Sequence, residues 1–331
     1  MIRQIDSCSV CRIWAARGEP RRGRGRGRAR VMLVMLALVA TVLLPGAACG
    51  SAPETAGPRY GTAPPSGEAR VYTLAVHPLY NPARLLGVYQ PLVDYLNREI
   101  PTSRITLEAS RDYTSFEEKY GARIPDLLLP NPWQTLQAIK VGYHVIAMAG
   151  EPEDFRGIFI VRKDGAVRQP ADLKGKSVSY PAATALAACI MPQAFLHQNG
   201  LDVNRDIENR YVGSQESSIM SVHLGLTAAG ATWPPPWRIF QRDHPREAGE
   251  LMVAWETESL VNNSFMARDD VPAEMRTRIQ TLLVGLYRTA EGRALLADME
   301  TARFSEANDQ DYDVVRTFLS SFERDVRKVQ S

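Results

Sequence analysis

From residue 71 to the C-terminus, strand-like and helix-like hydrophobic patterns alternate. Residues 71–76 and 105–109 read as strands, as do 126–129, 143–148, 157–162, 177–180, 211–213, 251–255 and 264–267. Between them, residues 82–98 carry Leu85, Leu86, Tyr89, Leu92, Val93 and Leu96 at helical spacing. Helices are also expected over 113–120, 132–141, 184–199, 216–226, 272–288, 291–299 and 311–328. This order predicts an α/β fold with mainly parallel sheets. No internal repeat is visible, and the body is long enough for two domains.

Three strand-to-helix junctions stand out. In the first, the strand 177–180 leads through Pro181, Ala182 and Ala183 to an apolar helix starting near Thr184. The others are Leu129-Pro130-Asn131-Pro132-Trp133 and Gly213-Ser214-Gln215-Glu216-Ser217. A helix start has unpaired N–H groups and about half a positive charge, so it holds an anion without Lys or Arg. Three starts facing one point predict an anion-binding cleft.

The N-terminus reads as an address. Residues 1–30 hold nine Arg against Asp6 and Glu19, and 31–44 form an apolar run broken only by Thr41. That length fits a signal-peptide core and falls short of the ~18 residues of a spanning helix. Gly46-Ala47-Ala48-Cys49 resembles a bacterial lipobox, so residues 1–48 are expected to be a signal peptide and Cys49 the lipidated residue. Gly46 departs from the Leu usual at that place, which leaves plain secretion open. Gly, Pro, Ala and Ser dominate the segment after Cys49, and residues 49–70 are expected to form a flexible tether.

Losing the leader changes the charge. It takes nine of the 39 Lys+Arg and two of the 37 Asp+Glu, leaving 30 against 35 and a formal charge of −5 instead of +2. Nothing in that surface argues for nucleic acid. Cys8 and Cys11 fall in the leader, so Cys189 alone comes after Cys49 and no intramolecular disulfide is expected. The five His show no metal-ligand spacing, and neither GxSxG nor a Walker A run occurs. No enzyme, metal or cofactor is expected.

Several segments together resemble the phosphate/phosphite/phosphonate-type substrate-binding proteins of ABC transporters. They are Val76-His77-Pro78-Leu79-Tyr80-Asn81-Pro82, Tyr89 through Leu96, Asp126 through Trp133, Asp172-Leu173-Lys174-Gly175-Lys176 and Asp270-Val271-Pro272. The resemblance implies a type II periplasmic-binding-protein fold: two α/β lobes, 71–155 plus 262–331 and 156–261, joined by two hinge crossovers around a ligand cleft. It implies a small oxyanion ligand, a permease partner and a monomer. Departures from the family fall in the cleft. Ala183-Thr184-Ala185-Leu186 stands where phosphonate binders carry Ser-Thr-Ser-Gly, Gln215 where a His is frequent, and Ala228 where an acidic residue is expected.

Each candidate ligand residue has a plainer alternative. Thr184 is a donor to the oxyanion or a helix cap, beside the amide of Ala185. Ser179 and Tyr180 are contacts or core. Asn131 lies in a turn before a helix, and Trp133 is a pocket wall or inter-lobe packing. Tyr80 offers its phenol or is a surface turn residue. Ser214, Gln215 and Glu216 open the third helix, where Glu216 complements the dipole or binds a cationic group. Trp233 to Trp237, with three prolines between, read as a stiff surface loop, a lid or a partner surface. The leading functional expectation is an extracytoplasmic binding protein delivering a phosphonate- or phosphate-like oxyanion to a permease. A sensory binding protein and a binder of an aromatic or uncharged metabolite remain open.

Overall fold

The structure, a computed structural model, describes residues 70–329. The expected leader, Cys49 and most of the tether lie outside the described residues; Arg70, counted above with the tether, is the first residue of strand β1.

The first lobe begins with β1 (Arg70–Val76), α1 (Pro82–Glu99), β2 (Ser103–Ala109), α2 (Tyr113–Gly121), β3 (Leu127–Leu129), α3 (Pro132–Lys140) and β4 (Tyr143–Ala149). The chain then crosses to β5 (Ile158–Arg162) and β6 (Ser177–Tyr180). A π-helical turn, Leu186–Ile190, runs into α4 (Met191–Gln198), followed by β7 (Glu208–Tyr211), α5 (Gln215–His223) and β8 (Ala229–Thr232). Next come α6 (Pro234–Asp243), α7 (Pro245–Gly249) and β9 (Leu251–Glu256). The chain returns as β10 (Asn263–Arg268), α8 (Ala273–Gly285), α9 (Ala290–Asp298), β11 (Phe304–Ser305) and α10 (Asp313–Asp325).

Two sheets result. One has the order β11-β4-β10-β3-β1-β2, the other β7-β6-β8-β5-β9. The expectation of mainly parallel sheets is corrected. β1 pairs in parallel with β2 and β3, and β6 with β7 and β8, but every pairing of β4, β5, β9, β10 and β11 is antiparallel. β4 and β9 lead out of their sheets into the crossovers, and β5 and β10 receive the chain from them. Strands joined this way need no helical return, so they add antiparallel.

Three local expectations also change. The pattern gives no strand at 229–232, because Ala229-Gly230-Ala231-Thr232 has no large apolar side chain. α5 lies directly on this strand: a Cβ at Gly230 would meet the Ser218 carbonyl oxygen at 2.5 Å. The strand expected at 211–213 is instead β7, three residues earlier, an exposed edge strand whose charged residues carry no apolar period. The Pro-rich segment is no surface loop. It opens helix α6, with Trp233 and Trp237 only 6% and 8% exposed. Proline suits a first helical turn, where its missing N–H has no intrahelical partner.

The lobes touch. Leu186, Ile190, Met191, Trp233 and Ile239 of the second lobe pack into the same apolar cluster as Leu129, Trp133 and Phe155. Ion pairs join α6 to the first lobe, Arg238 reaching Asp154 at 3.2 Å and Glu300 at 2.8 Å. Past α10, whose Val315, Leu319 and Phe322 belong to the first lobe's core, the tail crosses over. Arg327 donates to the Ala183 carbonyl at 3.0 Å and the Gln193 amide oxygen at 2.7 Å, and Asn204 donates to the Val326 carbonyl at 2.9 Å. Among the described residues no helix is long and apolar enough to cross a membrane.

Candidate functional site

The turn after β6 ends in the π-helical turn 186–190, where Ile190 N–H bonds the Ala185 carbonyl. In that wider winding the N–H groups of Leu186, Ala187 and Ala188 find no acceptor among the described residues. Ala185 through Ala188 form one wall of a small cleft between the lobes. Facing them are His77, Tyr113, Asn131, Phe155, Gln215, Trp233 and Asn263, with no Lys or Arg among them. Three backbone donors at a helix start make this wall suited to an anion.

The other walls are neutral and ordered. Tyr113 opens α2, held by the Asp112 cap, and its hydroxyl receives a hydrogen bond from Gln215 Nε2 at 3.3 Å. Gln215 in turn accepts from Thr232 Oγ1 at 2.8 Å. Burial pushes the Tyr113 phenol well up, so it stays protonated and can donate. His77 Nδ1 lies 2.8 Å from the Leu129 carbonyl oxygen, and burial lowers the ring's pKa to about 4. Behind Tyr113, Glu117 is buried and accepts from Gln134 Nε2 at 2.9 Å and Thr184 Oγ1 at 2.6 Å. Burial outweighs those two bonds and raises its pKa.

The family model for periplasmic substrate-binding proteins of phosphonate ABC transporters matches residues 74–312. The chain belongs to that family. A curated relative, the probable ABC transporter phosphite binding protein PhnD1 of Prochlorococcus marinus strain MIT 9301, is 22% identical over 181 residues, which is 51% of this chain and 61% of the relative. Among solved structures, a binding protein component of an ABC phosphonate transporter from Pseudomonas aeruginosa superposes with a TM-score of 0.72 at 13% identity, over 78% of this chain and 88% of the other. PhnD1 from Prochlorococcus marinus in complex with methylphosphonate gives 0.69 at 18% identity, over 77% and 97%. These likenesses show the two-lobed α/β fold.

In this family member the structure gathers only some of the residues picked from the sequence. Asn131, Ala185 and Gln215 line the cavity. Thr184 does not cap its helix. Its hydroxyl goes to Glu117, across the lobe boundary, while its carbonyl accepts from Asn131 Nδ2 at 3.2 Å. Ser179 is fully buried and ties β6 to its neighbours, donating to the Ser218 carbonyl at 2.9 Å. Tyr180 is core, its ring 6.1 Å from Tyr211. Trp133 packs in the apolar cluster away from the cavity. Tyr80 is 7% exposed and lines an adjoining small space with Tyr89, Trp233 and Asn263. Ser214 caps α5 through Ser217, and Glu216 lies outside, paired with His244 at 3.2 Å.

The two further junctions are partly capped. At α3 the Asn131 side chain takes the Gln134 N–H and the Gln134 side chain takes the Asn131 N–H; at α5 Ser214 takes the Ser217 N–H. Capped starts have fewer donors left for a ligand. The residues missed were His77, Tyr113, Phe155 and Asn263. For Tyr113 a signal existed: Ser110-Arg111-Asp112-Tyr113 is a fourth strand-to-helix junction, with a capping Asp before the tyrosine.

Proposed function

We propose that this protein is an extracytoplasmic solute-binding protein for a phosphonate- or phosphate-like oxyanion, which it hands to an ABC permease. The carrying observation is the trio of N–H groups at Leu186, Ala187 and Ala188 without an acceptor among the described residues, in residues that line a small cleft with no charged side chain on its wall. A tetrahedral oxyanion matches those donors. The Tyr113 hydroxyl supplies a further donor. Trp233 lines both this cavity and the aromatic space beside Tyr80, so an organic substituent on phosphorus has apolar surface to lie against. Family membership and the methylphosphonate complex of PhnD1 support the same ligand class. Cys49 is proposed to anchor the chain by lipid, with Gly46-Ala47-Ala48 before it as the processing site.

Calorimetric titration with phosphate, phosphite, methylphosphonate and longer alkylphosphonates tests the reading. Binding of at least one, with affinity rising by up to about 25 cal/mol per Å² of apolar area buried, is the expected result. No heat and no thermal shift with any of them removes the oxyanion. A Cys49→Ser variant is expected to leave the membrane fraction; unchanged partitioning refutes the anchor.

A further inference from the structure

The donors and acceptors of the cavity are not mixed evenly. The second lobe offers N–H groups, whereas the first lobe presents two unused acceptors. His77 hangs from the turn after β1, its ring 2% exposed and edge-on to Tyr113 with centroids 6.2 Å apart. The Leu129 carbonyl at Nδ1 can only accept, so Nδ1 carries the hydrogen. Burial keeps the ring neutral, so Nε2 is a bare lone pair with no partner among the described residues. On the same wall, Asn263 is 4% exposed and its Oδ1 is likewise buried without a partner among them. A buried acceptor left facing another acceptor keeps its full desolvation cost.

We infer that the site takes its phosphorus ligand as the monoprotonated anion, the P–OH donating to Nε2 of His77, and that this selects phosphonates against sulfonates. The inference rests on the oxyanion reading above. A phosphonate monoanion has two bare oxygens for the amides of Leu186–Ala188 and one hydroxyl for His77. A sulfonate of the same shape has three bare oxygens and would set one against the imidazole lone pair. Turning His77 into a donor at Nε2 means either charging a buried ring, which its surroundings oppose, or moving the proton off Nδ1 and leaving two acceptors, Nδ1 and the Leu129 carbonyl oxygen, face to face. The titratable groups around it are Tyr113, whose phenol stays protonated, and Glu117 one turn further along α2.

The test compares methylphosphonate, trifluoromethylphosphonate and methanesulfonate by calorimetry across mildly acidic to mildly alkaline pH. Methanesulfonate is expected to bind a hundredfold or more weaker than methylphosphonate, as sites built around a ligand hydroxyl reject analogues without one. Phosphonate affinity is expected to fall by about tenfold per pH unit above the ligand's own second ionisation. That midpoint lies lower for the trifluoromethyl compound, whereas titration of Glu117 gives one midpoint for both. His77→Gln, whose amide can donate, is expected to narrow the sulfonate gap to within about tenfold. Equal sulfonate and phosphonate affinity, or a shared midpoint, overturns the inference while the oxyanion reading stands. No phosphonate binding at any pH overturns both. The wild-type comparisons decide even where the variant fails to fold.

Discussion

Two helices leave the second sheet at the same cleft, and their first turns use the backbone in opposite ways. After β6, residues 186–188 line the cleft and keep their N–H groups, which have no acceptor among the described residues. After β8, α6 begins with Pro234, Pro235 and Pro236, which have no N–H at all. The first start is the proposed anion cradle, with small side chains, Ala187 and Ala188, that would let a ligand approach the backbone. The second is a rigid apolar prop that needs no cap and presents Trp233. A strand-to-helix junction is therefore no anion site by position alone; which N–H groups survive capping and proline decides.

Breaking the apolar start should cost most. Trp233→Ala removes a buried indole tilted against Phe155, 5.5 Å between centroids, and is expected to lower unfolding stability by about 3–5 kcal/mol in denaturant melts. A loss below about 1 kcal/mol would show that α6 does not depend on this prop.

Making the first start resemble the second comes next. Ala185 is already extended, so proline is sterically acceptable at position 186. Leu186→Pro removes one donor and should weaken methylphosphonate binding by roughly tenfold to a hundredfold, the loss of one hydrogen bond to a charge. Leu186→Ala keeps the N–H while deleting the side chain, and equal weakening in the two variants would assign the effect to packing. The mirror change, Pro234→Ala, restores an N–H in α6 and should leave phosphonate affinity unaltered. It should lower stability by no more than about 1 kcal/mol, through greater freedom of the unfolded chain.

A smaller effect concerns the carboxyl behind the cradle. Glu117 has its pKa raised in the folded state, so its contribution to stability is complete below the ordinary carboxylate range and declines as pH rises through the shifted value. Glu117→Gln should flatten that part of the melting-temperature profile between acid and neutral pH. An unchanged slope would place the titration elsewhere.

The periodic segments were legible because their side chains alternate with the element. The buried faces of α1 and β1 could be read directly from Leu85, Tyr89, Leu92 and Leu96 and from Leu74 and Val76. β8 was hidden for the opposite reason, since close packing of α5 demands small residues and small residues carry no hydrophobic period. Among site residues, those on the anticipated junctions were found when they faced inward, as Asn131, Ala185 and Gln215 do. Ser179 and Tyr180 misled because a strand's end gives no sign of which side chain turns to the cleft and which to the neighbouring strand. His77 and Asn263 sit at crossings between distant segments. Only the fold sets the Leu129 carbonyl beside one and, among the described residues, no partner beside the other's Oδ1.

The tail beyond α10 has a mechanical consequence. Two lobes joined by neighbouring strands alone swing like a door about one line. Here a third fastening, Arg327 on Ala183 and Gln193, holds the far side from a separate direction. The bolt engages the peptide one residue before Thr184 and three before the first of the N–H groups proposed to hold the ligand, so opening the door draws the bolt from beside that proposed site. Arg327 is one of several ties that opening must break, with Asn204 on the Val326 carbonyl and Arg238 on Asp154 and Glu300.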